Sequence, residues 1–327
     1  MRVNFSKMHG LGNDFMVVDN REGKINFVES QLKSLADRRT GIGFDQVLVV
    51  ESPSSGDVEF NYRIFNADGS EVEHCGNGAR CFARFVRDRG LTDSTSIPVN
   101  TTAGKIQLVV LPDDRVRVLM GVPTFSADKI PLQVSSVDNH AVTAGQNNTD
   151  ADKVASNSDQ KLWLDESKVV TYRLSLPLTS TELSGLATDA LIDFDQNSST
   201  LGFNALAIAN PHAVIRVRDV QSAPVEQLGR WLEAHAGFPQ RVNVGFLAVK
   251  GRNHGVLRVF ERGVGETRAC GTGACAAVAT GIEKDFFDQR VIVDLPGGAL
   301  EIYWPDTEVD IEMTGPCTTV FEGHIEM

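Results

Sequence analysis

The chain contains an internal duplication, and this feature restricts its possible fold more than any other. Sliding the sequence by 195 positions aligns residues 63–79 with residues 258–274 without a gap. Seven of these 17 positions are identical, and both copies contain Cys-Gly-x-Gly-Ala, beginning at Cys75 and at Cys270. Because repeated segments encode repeated supersecondary units, the sequence predicts two similar halves related by a pseudo-two-fold axis.

Hydrophobic patterns predict an α+β protein in which strands greatly outnumber helices. Strands are predicted, among others, at residues 15–18, 47–50, 58–65, 105–111, 115–120, 243–249, 255–261, 291–295 and 300–304. Helices are predicted at residues 29–39, 76–89, 224–236 and 271–284. The helix after Cys270 is apolar on every side, which is typical of a helix enclosed by a curved sheet. We therefore expect each half to be a curved mixed sheet or barrel wrapped around a central helix.

The duplication also suggests where the chain divides. We expect an N-terminal half over residues 1–124, completed by a C-terminal strand at residues 314–327, and a C-terminal half over residues 125–313. A polar insertion occupies about residues 133–200 of the second half. Between residues 138 and 160 its only large apolar side chains are Val142 and Val154. Because so little burial is available to offset the entropy of ordering, we expect a mobile surface loop there.

Charge and composition exclude several classes of protein. The 31 Lys and Arg residues against 43 Asp and Glu residues leave a formal charge of −12, which repels nucleic acid and anionic membranes. No apolar run reaches the roughly 20 residues of a membrane helix, and the first residues lack the apolar core of a signal peptide. Five cysteines are too few and too odd in number for a secreted disulfide framework. We expect a cytoplasmic protein with free thiols.

The duplicated unit places Cys75 and Cys270 where a helix begins. Unpaired N–H groups and the positive end of the helix dipole stabilise a thiolate there and can also hold a carboxylate. If the two units face each other across a cleft, a thiolate can remove a proton from one side of a carbon while a thiol delivers one to the other. The configuration at that carbon inverts. This layout requires no cofactor.

Other interpretations stay open at this point. A cysteine in a glycine-rich turn is often inert packing, and two facing sulfurs could serve a thiol–disulfide oxidoreductase, which would have to cycle between redox states. A binding protein that closes on an amino acid would not exchange its ligand's α-hydrogen with solvent. The sequence lacks the C-x-x-C spacing of zinc sites and the G-x-G-x-x-G of nicotinamide-cofactor sites. Cys81 and Cys275 are expected to pack inside their helices and Cys317 to stand apart, none of them with a chemical role.

Taken together, the motifs resemble those of the diaminopimelate epimerase family. The likeness is carried by residues 7–15 (KMHGLGNDF), 43–46 (GFDQ), 65–70 (FNADGS), 75–81 (CGNGARC), 210–212 (NPH) and 261–274 (ERGVGETRACGTGA). The resemblance implies an isomerase independent of pyridoxal phosphate that interconverts LL- and meso-diaminopimelate for lysine and peptidoglycan synthesis. It also implies a homodimer with a small-molecule substrate and no cofactor or metal.

Residue roles follow from the same resemblance. It implies that Cys75 and Cys270 are the paired acid and base, with Cys270 accepting the proton in the LL to meso direction. It assigns His212 and Glu261 to tuning the thiol pKa values. The implied substrate-binding residues are Asn13, Gln46, Asn66, Gly76, Asn77, Asn210, Asn243, Glu261, Arg262, Gly271 and Thr272.

Overall fold

A computed structural model describes residues 1–72, 75–133, 170–176, 186–197 and 199–327. The loop predicted at residues 138–160, with Val142 and Val154, lies outside these residues. Within the described residues the chain forms nineteen strands, four α-helices and a 3₁₀ turn at Thr188–Ala190. This content confirms the α+β class, because the strands form the walls and the helices pack against them.

The first half is a mixed sheet built around one long helix. Its strands are β1 (Arg2–Gly10), β2 (Asn13–Asp19), β3 (Gln46–Glu51), β4 (Phe60–Asn66), β5 (Glu71–Val72), β6 (Ser96–Thr101), β7 (Gly104–Val110) and β8 (Val116–Leu119), and its helices are α1 (Glu29–Ala36) and α2 (Gly76–Asp88). The β2–β3 and β4–β6 pairs are parallel, and the other pairs are antiparallel. Phe82 of α2 packs against the rings of Phe60 and Tyr62 on β4.

The second half repeats this arrangement. Its strands are β9 (Thr171–Ser175), β10 (Phe194–Asp195), β11 (Thr200–Ile208), β12 (Asn210–Arg216), β13 (Asn243–Gly251), β14 (His254–Glu261), β15 (Gly265–Thr267), β16 (Arg290–Leu295), β17 (Gly298–Tyr303) and β18 (Glu312–Gly315), and its helices are α3 (Val225–Glu233) and α4 (Gly271–Glu283). The pairing of β11 to β18 matches that of β1 to β8, including parallel β12–β13 and β14–β16 pairs. The duplication in the sequence is therefore a duplication of topology.

Two strand pairings join the halves. Strand β8 runs antiparallel to β18, and the last strand, β19 (Thr318–Glu326), runs antiparallel to β1. The sheet thus passes from one half to the other without a break. The predicted boundaries at residues 124 and 313 stay predictions.

Helix α4 is enclosed by protein, as its composition predicted. Every residue from Ala274 to Gly281 is buried. Small side chains allow this enclosure because they let the surrounding strands and loops approach closely. A methyl group on Gly281 would lie 2.2 Å from the ring of Phe287, so this position has no room for a larger residue.

The described part of the predicted polar insertion includes a strand. Strand β9, which falls inside residues 133–200, pairs with β11. Tyr172 and Leu174 of β9 are buried, and the Tyr172 ring stacks on Phe203 at a centroid distance of 5.7 Å. Because apolar side chains alternate along this stretch, it forms a strand of the second half.

The cysteines outside the duplicated motif differ partly from expectation. Cys81 and Cys275 are buried inside their helices, as predicted. Cys317 does not stand apart: its thiol donates to the carbonyl oxygen of Arg80 at 3.4 Å and lies in hydrogen-bonding contact with the Cys81 thiol. The turn between β18 and β19 brings it against α2.

Candidate active site

A cleft of about 1840 Å³ opens between the two halves, and the first residues of both α2 and α4 line it. Twelve of the fourteen residues predicted for the site line this cleft: Asn13, Gln46, Asn66, Cys75, Gly76, Asn77, Asn210, Glu261, Arg262, Cys270, Gly271 and Thr272. His212 and Asn243 are not among its lining residues. Residues from both halves of the chain therefore line one cavity.

Cys75 is the N-cap residue of α2. Its extended backbone, with φ −145° and ψ 105°, turns the side chain back over the helix so that Sγ accepts from the N–H of Gly78 at 3.4 Å. The thiol is also 3.8 Å from Oδ1 of Asn13. Gly78 cannot be larger, because a methyl group there would lie 2.5 Å from the Tyr62 hydroxyl.

Cys270 occupies the equivalent N-cap position of α4. Its backbone has φ −121° and ψ 112°, and Sγ accepts from the N–H of Gly273 at 3.4 Å. The hydroxyl of Thr272 lies 3.5 Å from the same sulfur. The two sulfurs therefore share one local geometry, each held by the third residue of a helix that begins in the cleft.

The two helix starts are in direct contact. Asn77 of α2 donates from Nδ2 to the carbonyl oxygen of Ala269 at 3.0 Å and to Oδ1 of Asn13 at 3.3 Å. Methyl groups on Gly76 and Gly271 would each lie 2.8 Å from Met313, so both turns pack on one side chain. The unpaired N–H groups of two helices thus converge at one place, where the helix ends favour negative charge.

Burial and one carboxylate control the ionisation of the two thiols. Removal from water raises the pKa of Cys75 to about 11 and raises the pKa of Cys270 well above its usual value. Glu261 raises both thiol pKa values further through its negative charge. Its own carboxyl accepts from the Thr267 hydroxyl, and burial raises its pKa. One carboxylate therefore raises the pKa of both thiols.

Replacing Glu261 with glutamine is expected to make both cysteines more reactive toward iodoacetamide. The amide removes the negative charge that disfavours the thiolates, so both thiol pKa values fall and alkylation at pH 8 becomes several-fold faster. Peptide mass spectrometry measures the rate at each cysteine. Glu266→Gln is the matched control, because that carboxylate is bound by Arg258. Unchanged rates in Glu261→Gln would contradict this electrostatic coupling.

Amide side chains form the remaining walls. Gln46 donates to Asn66 at 2.9 Å, and Asn66 donates to the hydroxyl of Ser70 at 3.0 Å. Oδ1 of Asn210 accepts from Nε2 of the His212 ring at 2.8 Å. Burial holds the pKa of His212 at about 3, so its imidazole is neutral at physiological pH. His212 therefore reaches the cleft through Asn210.

Asn243 also acts from behind the cleft wall. Its Oδ1 accepts from the backbone N–H of Arg262 at 2.9 Å. This bond fixes the turn that presents the side chains of Glu261 and Arg262.

A cluster of charges that the sequence motifs did not predict lies beside Asn13. Asp45 accepts from Nδ2 of Asn13 at 2.8 Å and from Arg38 at 2.7 Å. Asp14 binds both Arg38 and Lys7. All of these residues line the cleft. Segments 7–15 and 43–46 contain three of the four charged residues, but only the fold shows that Arg38 bridges the two segments.

The arrangement is suited to proton transfer at an anionic ligand. The thiols of Cys75 and Cys270, which are weak acids, and the backbone N–H groups at the starts of α2 and α4 surround one space that can hold a carboxylate. Among the described side chains, no group of three or more His, Cys, Asp and Glu residues is placed to hold a metal ion. No helix in the described ranges is long and apolar enough to cross a membrane.

Comparisons with known proteins show the family to which the sequence is similar. A family model for diaminopimelate epimerase matches residues 5–126 and 204–320. Diaminopimelate epimerases of Azotobacter vinelandii and Pseudomonas aeruginosa are 46% and 44% identical to this chain over the full length of both proteins.

Solved structures with the same fold are more distant in sequence. A phenazine biosynthesis protein of the PhzF family from Bacillus anthracis has a TM-score of 0.62 at 16% identity and covers all of both chains. A hydroxyproline epimerase from Agrobacterium vitis has a TM-score of 0.59 at 12% identity, over 99% of this chain and 92% of that chain. These likenesses confirm the predicted fold class.

Proposed function

Because the chain belongs to the diaminopimelate epimerase family, we propose that it is an isomerase that interconverts LL- and meso-diaminopimelate in lysine biosynthesis. The relatives' names support the substrate. The observation that carries the mechanism is the pair of N-cap cysteines, Cys75 and Cys270, which line one cleft from opposite halves of the chain.

In the proposed LL to meso reaction, the Cys270 thiolate removes the α-proton and the Cys75 thiol delivers a proton to the opposite face. The C–H bond breaks as an S–H bond forms at Cys270. A new C–H bond then forms as the S–H bond of Cys75 breaks and leaves a thiolate. The reverse reaction exchanges the two roles. Because only one sulfur can be the base at a time, we expect the two thiols to titrate as a coupled pair.

We assign the carboxylate of the reacting carbon to the two helix starts. Gly76 and Asn77 begin α2, and Gly271 and Thr272 begin α4. Oriented N–H groups there would stabilise the negative charge that spreads onto the carboxylate when the proton leaves. This stabilisation requires no group from outside the chain.

The distal amino acid head carries its own ammonium and carboxylate, which amides and a guanidinium can bind. We assign this head to the remaining polar positions, which are Asn13, Gln46, Asn66, Asn210, Asn243, Glu261 and Arg262. Asn243 contributes through the backbone of Arg262. Stereochemical choice at this end would arise because the wrong isomer leaves buried polar groups unpaired.

Three further assignments remain part of the proposal. His212 is proposed to tune the thiols, and its hydrogen bond to Asn210 supports a role in positioning that amide. The exposed Val320 and Phe321 of β19 support a homodimer. The cytoplasmic location stays a prediction from the sequence.

Incubation with LL-diaminopimelate in deuterated buffer tests the proposed function. With thiols kept reduced, we expect the meso isomer to accumulate with one solvent deuterium at the inverted α-carbon. L-Proline and trans-4-hydroxy-L-proline serve as control substrates and should take up no label. Absence of exchange would favour the binding-protein alternative. Activity that depends on repeated oxidation and reduction would favour the thiol–disulfide alternative.

A further inference from the structure

Arg80 of α2 is a fully buried cation, with none of its surface exposed. Its guanidinium donates only to uncharged acceptors: Oδ1 of Asn77 at 3.0 Å, the carbonyl oxygens of Pro316 at 3.1 Å and Gly76 at 3.4 Å, and Sδ of Met313 at 3.6 Å. Among the residues that the structure describes, no carboxylate forms an ion pair with it. Because burial of an unpaired charge is strongly unfavourable, this arrangement requires an explanation.

The surrounding backbone is shaped to admit the guanidinium. A methyl group on Gly10 of β1 would lie 3.0 Å from Nη2 of Arg80, and one on Gly315 of β18 would lie 3.2 Å from Nε. The absence of side chains at these two glycines therefore lets strands from both halves approach the cation. The guanidinium is therefore enclosed by β1, by β18 and by its own helix α2.

The duplication shows that this cation is present in one half only. A shift of 195 positions places Arg80 on Cys275 and Asn77 on Thr272. The same shift places Asn66 on Glu261, so the carboxylate is also present in one half only. The two cysteines are thus equivalent in local geometry, and Glu261 acts on both, but the buried guanidinium belongs to the helix that begins after Cys75.

We propose that Arg80 is a positioning residue for the epimerisation. Its charge stabilises negative charge at the start of α2, on the Cys75 thiolate and on the substrate carboxylate, and its hydrogen bond to Oδ1 turns Nδ2 of Asn77 toward Asn13 and Ala269. Arg80 does not line the cleft and acts through Gly76 and Asn77. The carboxylate part of this inference rests on the proposed function.

The titratable groups around Arg80 and Cys75 are consistent with this role. The titratable groups that face Arg80 are the thiols of Cys75, Cys81, Cys275 and Cys317. Cys75 is faced in addition by Glu261 and by the Tyr62 hydroxyl. Arg80 lowers the pKa of Cys75, and Glu261 raises it. The anions that the cation would stabilise are therefore a thiolate formed during the reaction and the ligand bound at the helix start.

The test compares Arg80→Gln with Arg80→Lys. Glutamine retains donors for Asn77 but removes the charge, whereas lysine retains the charge but loses the planar fork. Iodoacetamide alkylation of Cys75 is followed between pH 6 and 10 by peptide mass spectrometry. We expect Arg80→Gln to slow alkylation of Cys75 at pH 8 by about tenfold, and Arg80→Lys to change it less than about threefold. The kcat of Arg80→Gln should fall more than its KM rises.

Arg84→Gln is the matched control, because Arg84 is on the same helix but has its own partners in Asp88 and Asp114. We expect it to leave the alkylation profile of Cys75 unchanged. An unchanged alkylation profile of Cys75 in folded Arg80→Gln would overturn the proposal. So would alkylation in Arg80→Lys that is slowed about tenfold, because lysine retains the charge. Circular dichroism establishes folding, and the lysine variant decides the question if the glutamine variant does not fold.

The alkylation assay contains no diaminopimelate, so the two proposals fail separately. If the unchanged protein does not epimerise diaminopimelate but Arg80→Gln slows alkylation of Cys75, only the proposed function is wrong. If it epimerises diaminopimelate and the variant leaves the profile unchanged, only the role of Arg80 is wrong.

Discussion

Replacing either Cys75 or Cys270 with alanine is expected to lower kcat for epimerisation by at least about 10³-fold, because each residue supplies one of the two proton transfers. A methyl group can neither accept nor donate the proton. The fold should remain intact, since each sulfur accepts one N–H bond from its own helix start and has few other polar contacts, which are Asn13 for Cys75 and Thr272 and Glu261 for Cys270. The measurement is turnover of LL-diaminopimelate, with circular dichroism as the check on folding.

Cys317→Ala is the matched control for these variants. Cys317 is half-buried like Cys75, but its thiol contacts the back of α2 and does not line the cleft. We expect it to retain activity within about twofold of the unchanged protein. Normal turnover in Cys75→Ala or in Cys270→Ala would refute the two-base scheme, and loss of activity in Cys317→Ala as well would point to a general effect of removing thiols.

Replacing Gly297 with alanine is expected to destabilise the protein by about 1–3 kcal/mol and to lower kcat/KM by at least about tenfold. The added methyl group would lie 1.8 Å from the carbonyl oxygen of Leu11, which is backbone and cannot rotate away. Gly297 is also held by its own N–H, which donates to the carbonyl oxygen of Arg268 at 2.8 Å. Relief of the clash must therefore push the turn at Leu11 away from the second half, and Asn13 with it.

Urea unfolding and steady-state kinetics measure the two effects. Gly56→Ala is the control, because no atom lies within 4 Å of the added methyl group and its backbone is not left-handed. Its stability should change by less than about 0.5 kcal/mol. A Gly297→Ala variant with unchanged stability and activity would show that the contact between the Leu11 and Gly297 turns is not required for the cleft.

The predicted elements agree with the structure where apolar residues follow a clear period. The helix predicted at residues 271–284 is Gly271–Glu283, and the strand predicted at residues 47–50 is Gln46–Glu51. The sequence predicts that a C-terminal strand at residues 314–327 completes the first half, but it does not indicate that β1 is the partner of that strand. Most of β19 is exposed, so its sequence shows no apolar alternation, and its order comes from the ladder with β1.

The site residues were predictable to the extent that their role is local. An N-cap cysteine can be recognised from the glycines that follow it, because its sulfur bonds to the N–H three residues later in both copies. The sequence did not show that Asn243 and His212 stand behind the cleft wall. That distinction depends on which face of β12 and β13 meets the cavity, and a residue's type does not determine it.

By itself the sequence determined the duplicated topology, the two cysteines at helix starts and the family, because each of these depends on residue order within short segments. Only the tertiary structure decided what surrounds those segments. The bond from Asn77 to Ala269, the burial of Arg80 between β1 and β18, and the contact of Cys317 with α2 each join residues more than sixty positions apart. Such contacts arise when two halves pack together, and no local pattern of charge or hydrophobicity encodes that packing.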